Sequence, residues 1–141
     1  MAGSVKPIID YLGYSLSKCD YVRRPESGNA KKLFIIVNDI SIDENNIASM
    51  ITKVELTFKN EDICKFDYLS KFAINDLAWY EKANSDFNNL GISNLFSIAF
   101  PYIRASISSI TNDSLGSIFL PVINVMNGDV TKGLLFTANN G

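Results

Sequence analysis

The sequence contains no histidine. Histidine is the commonest general base, a frequent zinc ligand and the side chain that titrates near neutral pH. The acidic residues form no close pair with apolar neighbours of the kind that tunes an acid against a base. The glycines match no phosphate-binding spacing, and Ser106, Ser108 and Ser109 lack a histidine partner and the glycines of a nucleophile elbow. We therefore expect no enzymatic activity and no cofactor.

Positive charge, cysteine and long apolar runs are also scarce. The 13 lysines and arginines are scattered among 15 acids, which gives a net charge of −2 and predicts no nucleic-acid surface. The longest apolar run, Leu33 to Val37, is too short to cross a membrane, and the first residues do not have the pattern of a secretory signal. Cys19 and Cys64 lack metal-site spacing and are expected to be reduced thiols. These features together predict a cytoplasmic protein.

What is present predicts one globular domain over residues 1–141, because 47% of the residues are hydrophobic and only 20% are charged. Ile8 to Val22 predicts a long strand, with a change of face near Gly13 or Lys18 that indicates a bulge. Lys31 to Asp43 predicts a second strand. Met50 to Lys59 and Cys64 to Ile74 alternate between apolar and polar residues across a short polar turn, which predicts an antiparallel hairpin.

The second half of the chain predicts a helix. Apolar residues recur every three or four positions from Phe96 to Ile110, and Pro101 is expected in a first turn or at a kink. Asn75 to Ser93 is compatible with a short helix or with a loop that carries aromatic residues. Ile118 to Val125 is an apolar run that contains Pro121, so it cannot be a central strand.

A motif within this helix resembles a known family. Phe100-Pro101-Tyr102, Arg104 and Ile107-Ser108 are similar to the signature helix of the SecB-like export chaperones, and Leu120 to Asn124 is similar to the segment that follows that helix. The resemblance implies a SecB-like α+β fold, in which a long helix packs on one face of a four-stranded antiparallel sheet. It also implies a homo-oligomer, either a dimer or a tetramer, in which the helices lie between two sheets.

The resemblance further implies a function. Members of the family act without ATP as holdases in protein transport, and they bind non-native polypeptides in a groove lined by apolar side chains. The matching positions for the groove here are Phe72, Ile74, Leu77, Trp79 and Tyr102. Arg104 and Ile107 are expected to be structural or to lie at an oligomer interface.

The chain also departs from the family's pattern. The connection from Arg23 to Ala30 looks shorter than the family's crossover loop and has no tryptophan. The cysteine- and histidine-bearing tail that binds zinc at the SecA motor is missing, so no metal is expected and delivery to SecA does not follow. Three alternatives to an export chaperone remain: a chaperone of an antitoxin, an adaptor for one partner, and a small-ligand protein that uses Trp79 and Tyr80.

Overall fold

The computed structural model describes residues 7–123 and 129–138. It has an α+β architecture, in which one antiparallel sheet is covered on one face. The elements, in chain order, are β1 (Ile9–Asp20), β2 (Ala30–Ile42), β3 (Ile47–Phe58), β4 (Ile63–Ile74), α1 (Leu77–Asp86), α2 (Leu90–Ile110) and β5 (Leu134–Thr137). The strands are ordered β1-β4-β3-β2-β5 across the sheet, so β1 and β5 form its two edges.

Strands β3 and β4 form the predicted antiparallel hairpin. Successive side chains of a strand point to opposite faces of the sheet. Val54 pairs with Phe66 and Leu56 pairs with Cys64, and all four side chains are buried on the covered face. Because both strands keep one parity along their length, this hairpin supplies the centre of the hydrophobic core.

The predicted irregularity in the first strand is confirmed. The pairing of β1 with β4 shifts register between Tyr11 and Gly13 and again between Leu16 and Lys18. Gly13 has a φ of 110°, a conformation that residues with a Cβ rarely adopt. Each shift moves later side chains to the other face, which explains why apolar residues of both parities occur in this strand.

The prediction of a four-stranded sheet was wrong, because β5 adds a fifth strand. It pairs antiparallel with the start of β2, from Lys32 opposite Thr137 to Ile35 opposite Leu134. Gly133, with a φ of 94°, leads into β5, and a Cβ there would lie 2.6 Å from the ring of Phe34. A strand of only four residues has too short a pattern to be recognised in the sequence.

The structure decides between the alternatives left open for the segment after β4, and it places the start of the second helix earlier than expected. The segment after β4 is a helix rather than a loop, and its N-cap Asp76 accepts a hydrogen bond from the backbone N–H of Trp79 at 3.0 Å. Helix α2 begins at Leu90 instead of Phe96, so Pro101 lies within the helix and not in its first turn. Proline has no backbone N–H, so the carbonyl of Ser97, four residues earlier, receives no helical hydrogen bond from position 101. Pro101 and Ser97 are both exposed, so water can reach that carbonyl.

Helix α2 packs on the covered face of the sheet. Phe96, Ala99, Ile103 and Ile107 are buried as the apolar stripe predicts, whereas Ile110 is partly exposed. Both cysteines are free thiols, and the buried Cys64 donates its S–H to the carbonyl of Val22 at 3.1 Å. Neither helix is long and apolar enough to span a membrane, within the residues that the structure describes.

Candidate functional site

Two of the residues predicted to line a groove lie in the core. Phe72 is 0% exposed and Ile74 is 2% exposed. Both lie an even number of residues from Phe66 in β4, so their side chains point to the same face of the sheet, the one covered by the helices. In this structure of a single chain they contact other core side chains and are not accessible to a ligand.

Leu77 and Trp79 lie on α1 and are only partly buried. Both pack against the edge of the hydrophobic core. Trp79 therefore has one packed side and one accessible side, and the alternatives of a packed or an exposed tryptophan each describe part of its environment. The neighbouring Tyr80 is almost fully buried, so it offers no surface to a small ligand.

Tyr102 is half-exposed and belongs to a patch of aromatic residues between α2 and β1. Its ring centroid lies 4.9 Å from that of Tyr11 and 6.3 Å from that of Tyr14, and the ring of Tyr11 packs on Phe72 at 5.3 Å. Leu16 extends the patch along the strand and is also exposed. We call this surface the tyrosine patch; it consists of Tyr11, Tyr14, Leu16 and Tyr102.

A partly buried hydrogen bond lies beneath the tyrosine patch, where Tyr14 packs on Tyr68. The hydroxyl of Tyr68 donates to Ser106 Oγ at 2.7 Å, which joins β4 to α2. Burial raises the pKa of Tyr68 to about 12, so the phenol stays protonated throughout the physiological range. Ser106 has a structural role in this contact, as a partner of the tyrosine.

Arg104 and Ile107 occupy different environments on α2. Ile107 is fully buried in the core. The guanidinium of Arg104 lies 6.0 Å from the ring centroid of Phe100, and its Nε has no hydrogen-bond partner among the described residues. Arg104 also forms no ion pair within that part of the chain.

A surface cavity of about 220 Å³ lies towards the opposite end of the sheet. We call it the edge cavity, since β5 forms part of it. Its walls come from the start of β2, from Leu56 of β3, from residues 118–121 and from β5. The lining residues are Ala30, Lys31, Lys32, Leu33, Leu56, Ile118, Phe119, Leu120, Pro121, Phe136, Thr137 and Ala138.

The residues beside the edge cavity expose unusual apolar surface. Phe119 is 80% exposed and Val122 is 83% exposed, whereas Leu120 between them is buried. Leu135 on β5 is also 62% exposed, but it points to the face of the sheet opposite that of Phe136, which lines the cavity. A concave apolar site with apolar side chains at its mouth is typical of a binding surface.

The charge at the edge cavity is positive. Lys31 and Lys32 contribute to its lining, and no acidic side chain does. Lys31 forms an ion pair with Glu61, while Lys32 has no such partner within the described residues. The cavity therefore combines an apolar floor with two lysines, of which Lys31 is paired with Glu61.

The sequence did not reveal the edge cavity, because its walls come from segments more than 80 residues apart in the chain. The available signal was the apolar run from Ile118 onwards, which Pro121 excludes from a central strand. Such a run must either cover the core or lie exposed. Here Leu120 covers the core and Phe119 is exposed. Asn124, the last residue of the second motif, lies outside the described residues.

These features define an α+β protein with two exposed apolar surfaces. No protein-family model matches the chain, and no curated protein matches it. Among solved structures it is similar to the SecB-like chaperone Rv1957 of Mycobacterium tuberculosis, in complex with a ChAD peptide from the Rv1956 HigA1 antitoxin. The TM-score is 0.46 and the identity 12%, over 82% of this chain and 91% of that chain. A likeness at this level carries no argument about what this chain binds.

Proposed function

We propose that this chain is a cytoplasmic, ATP-independent chaperone that holds apolar segments of non-native polypeptides and catalyses no reaction. The observation that carries the proposal is the edge cavity, with Phe119 and Val122 exposed beside it. Isolated soluble chains rarely leave such side chains next to a concave apolar site unless a partner covers them. The similarity of Phe100-Pro101-Tyr102 and its neighbours to the SecB signature supports the same function.

The energetics favour several weak sites over one strong site. Ordering an extended client costs roughly 1–2 kcal/mol per residue. Burying one large apolar side chain returns about 1.5–3 kcal/mol. One cavity therefore compensates for the ordering of only one or two client residues, so a client must reach further apolar subsites or the cavities of several chains.

The free edge of β1 supports self-association. This strand has no neighbour on its outer side among the described residues, and Leu12, Tyr14 and Leu16 are exposed along it. An exposed apolar edge strand is a template for pairing with another strand. Antiparallel pairing of two copies centred on Tyr14 would bring the exposed apolar side chains of one edge beside those of the other. Sedimentation equilibrium that found only monomers at micromolar concentration would contradict this assembly.

One observation favours a narrower function, in which the chain serves a single dedicated partner such as an antitoxin. The edge cavity, at about 220 Å³, is smaller than the roughly 300–1,000 Å³ typical of ligand pockets. A site of this size suits a short motif with one apolar side chain. A dedicated partner would bind tightly by adding contacts outside the cavity to that motif, whereas a holdase would bind many clients weakly.

The test is light scattering from a denatured, apolar-rich client diluted into buffer without nucleotide, with and without an equimolar amount of this protein. We expect the wild type to suppress aggregation. We expect Phe119→Ser to be at least about threefold less effective at suppressing aggregation. The change removes an exposed apolar side chain whose burial against a client contributes about 1.5–3 kcal/mol.

Phe87→Ser is the matched control. Phe87 is 62% exposed at the end of α1 and does not line the edge cavity. It should suppress aggregation as the wild type does. If the folded wild-type protein does not reduce aggregation, the holdase function is rejected. The function with a single dedicated partner would then be tested.

A further inference from the structure

A buried arginine joins the connection after β1 to the segment after α2. The Arg23 side chain is only 8% exposed. Its Nη2 donates to the carbonyl of Thr111 at 3.1 Å, to Asp113 Oδ1 at 2.8 Å and to the carbonyl of Gly116. Tyr21 adds a bond from its hydroxyl to Asp113 Oδ2 at 2.8 Å. We call Tyr21, Arg23 and Asp113 the clasp.

The clasp acts at the point where helix α2 ends and its last carbonyls lose their helical partners. Thr111 is the C-cap residue, and it lies one short turn before the wall of the edge cavity. Its Oγ1 accepts a hydrogen bond from the backbone N–H of Ile118 at 2.8 Å. Ile118 is the first residue of the 118–121 wall. A continuous set of hydrogen bonds therefore runs from Arg23 through Thr111 to the cavity.

The turn held by the clasp has few other attachments. Asn112 to Gly116 are all exposed, and Gly116 has a φ of 87°. Asp113 Oδ1 also accepts from the backbone N–H of Leu115 at 2.8 Å, so one carboxylate organises the turn and receives the guanidinium. Charge-assisted hydrogen bonds of this kind are stronger than neutral ones, and a planar guanidinium suits their geometry.

We infer that Arg23 is a positioning residue that keeps the 118–121 wall in its binding-competent place and so sets the affinity of the edge cavity for apolar segments. The inference rests on the proposed function. If loss of the clasp leaves the wall in place in only a tenth of the molecules, the apparent affinity falls about tenfold, because only the competent fraction binds.

The adjacent Arg24 offers a matched control. Its side chain is 53% exposed and it pairs with Asp62, in the turn between β3 and β4, at 2.8 Å. The two arginines are neighbours in sequence and both form ion pairs. Only Arg23 connects to the wall of the cavity.

The experiment compares wild type, Arg23→Gln, Arg23→Lys and Arg24→Gln. Fluorescence anisotropy would measure binding of a labelled peptide that carries several phenylalanines spaced by serines and glycines, because one apolar side chain alone does not offset the ordering of the peptide. Hydrogen exchange would report the Ile118 amide at a temperature where circular dichroism shows every variant folded. We expect about tenfold weaker binding and faster Ile118 exchange in Arg23→Gln, a smaller effect in Arg23→Lys, and wild-type values for both in Arg24→Gln.

The outcomes separate the two proposals. A folded wild type that does not bind the peptide overturns the proposed function, and this inference with it. Wild-type binding with an equal affinity in Arg23→Gln overturns the clasp alone. If Arg23→Gln does not fold, Asp113→Ala replaces it, because Asp113 is exposed and this change removes the bonds that its carboxylate accepts from Arg23, Tyr21 and the Leu115 amide. Undiminished affinity and unchanged Ile118 exchange in Asp113→Ala would then overturn the clasp.

Discussion

The tyrosine patch and the edge cavity are both apolar and both accessible, but they are built in different ways. The patch consists of side chains from one strand and one helix, and it packs on the buried rings of Phe72 and Tyr68 through Tyr11 and Tyr14. The cavity consists of parts of three strands and an irregular segment, and it is concave. A flat aromatic surface beside a free strand edge suits a second sheet, whereas a concave site suits one inserted side chain.

The two surfaces also lie apart on the sheet. Leu16 of the patch is opposite Tyr68, whereas Leu56 of the cavity is opposite Cys64. These positions on β4 are four residues apart, which corresponds to roughly 13 Å along an extended strand, and β4 also separates β1 from β3. The patch can therefore join two copies without covering the cavity. This separation predicts that changes at one surface leave the other unaffected, and the following variants test it.

The largest effect is expected for Phe72→Ala. Phe72 is fully buried under Tyr11, and truncating a buried phenylalanine costs about 3–5 kcal/mol of unfolding free energy. Tyr102→Ala is the comparison, since a half-exposed ring contributes less, about 0.5–1.5 kcal/mol through its contact with Tyr11. Urea denaturation measures both. If Phe72→Ala were as stable as the wild type but bound clients more weakly, Phe72 would contribute to the binding surface and not mainly to the core.

A smaller effect is expected when Gly133 is changed to alanine beside the cavity. The new Cβ would collide with the ring of Phe34, and the φ of 94° is strained for alanine. We expect about 1–3 kcal/mol of destabilisation, together with faster amide exchange in β5 and weaker peptide binding.

Gly13→Ala is the matched control at the opposite edge. Its φ is 110°, but among the described residues other than its chain neighbours no heavy atom lies within 4 Å of the added Cβ. It should carry backbone strain while leaving peptide binding unchanged. Equal loss of peptide binding in the two variants would contradict the independence of the two surfaces.

The sequence was most informative where the pattern is local and repeated. The alternation in Met50 to Lys59 predicted β3, and apolar residues of both parities around Gly13 predicted the bulge in β1. The same alternation puts Phe72 on the buried face, but the resemblance to a groove-forming family placed it on a surface. In that case the local pattern was the better guide to burial.

The remaining features depend on contacts between distant residues. The start of α2 was not predicted from the sequence. Residues typical of a helix end, Asn88, Asn89 and Gly91, lie there, so the helix was expected to begin at Phe96 and not at Leu90. In the fold the two asparagines form the turn between the helices, and Gly91 lets α2 approach Tyr80, where a Cβ would lie 2.8 Å from the ring. The clasp joins residues about 90 positions apart, and no local pattern indicates such a bond.

The smallest predicted effect is the pH dependence of stability that comes from Asp62, the ion-pair partner of Arg24. Hydrogen bonds from Ser27, then Arg24 and Asn60, lower the pKa of Asp62 to about 2. A carboxylate whose folded pKa lies below its unfolded value of about 3.9 stabilises the fold above that value, and the contribution disappears as the pH falls towards 2. The urea midpoint of the wild type should therefore exceed that of Asp62→Asn at pH 6, and the difference should shrink between about pH 4 and pH 2. Peptide binding at pH 6 should be equal in the two proteins, because Asp62 does not line the edge cavity. A difference in midpoint that stayed constant down to pH 2 would show that Asp62 stabilises the turn by its shape and not by its charge.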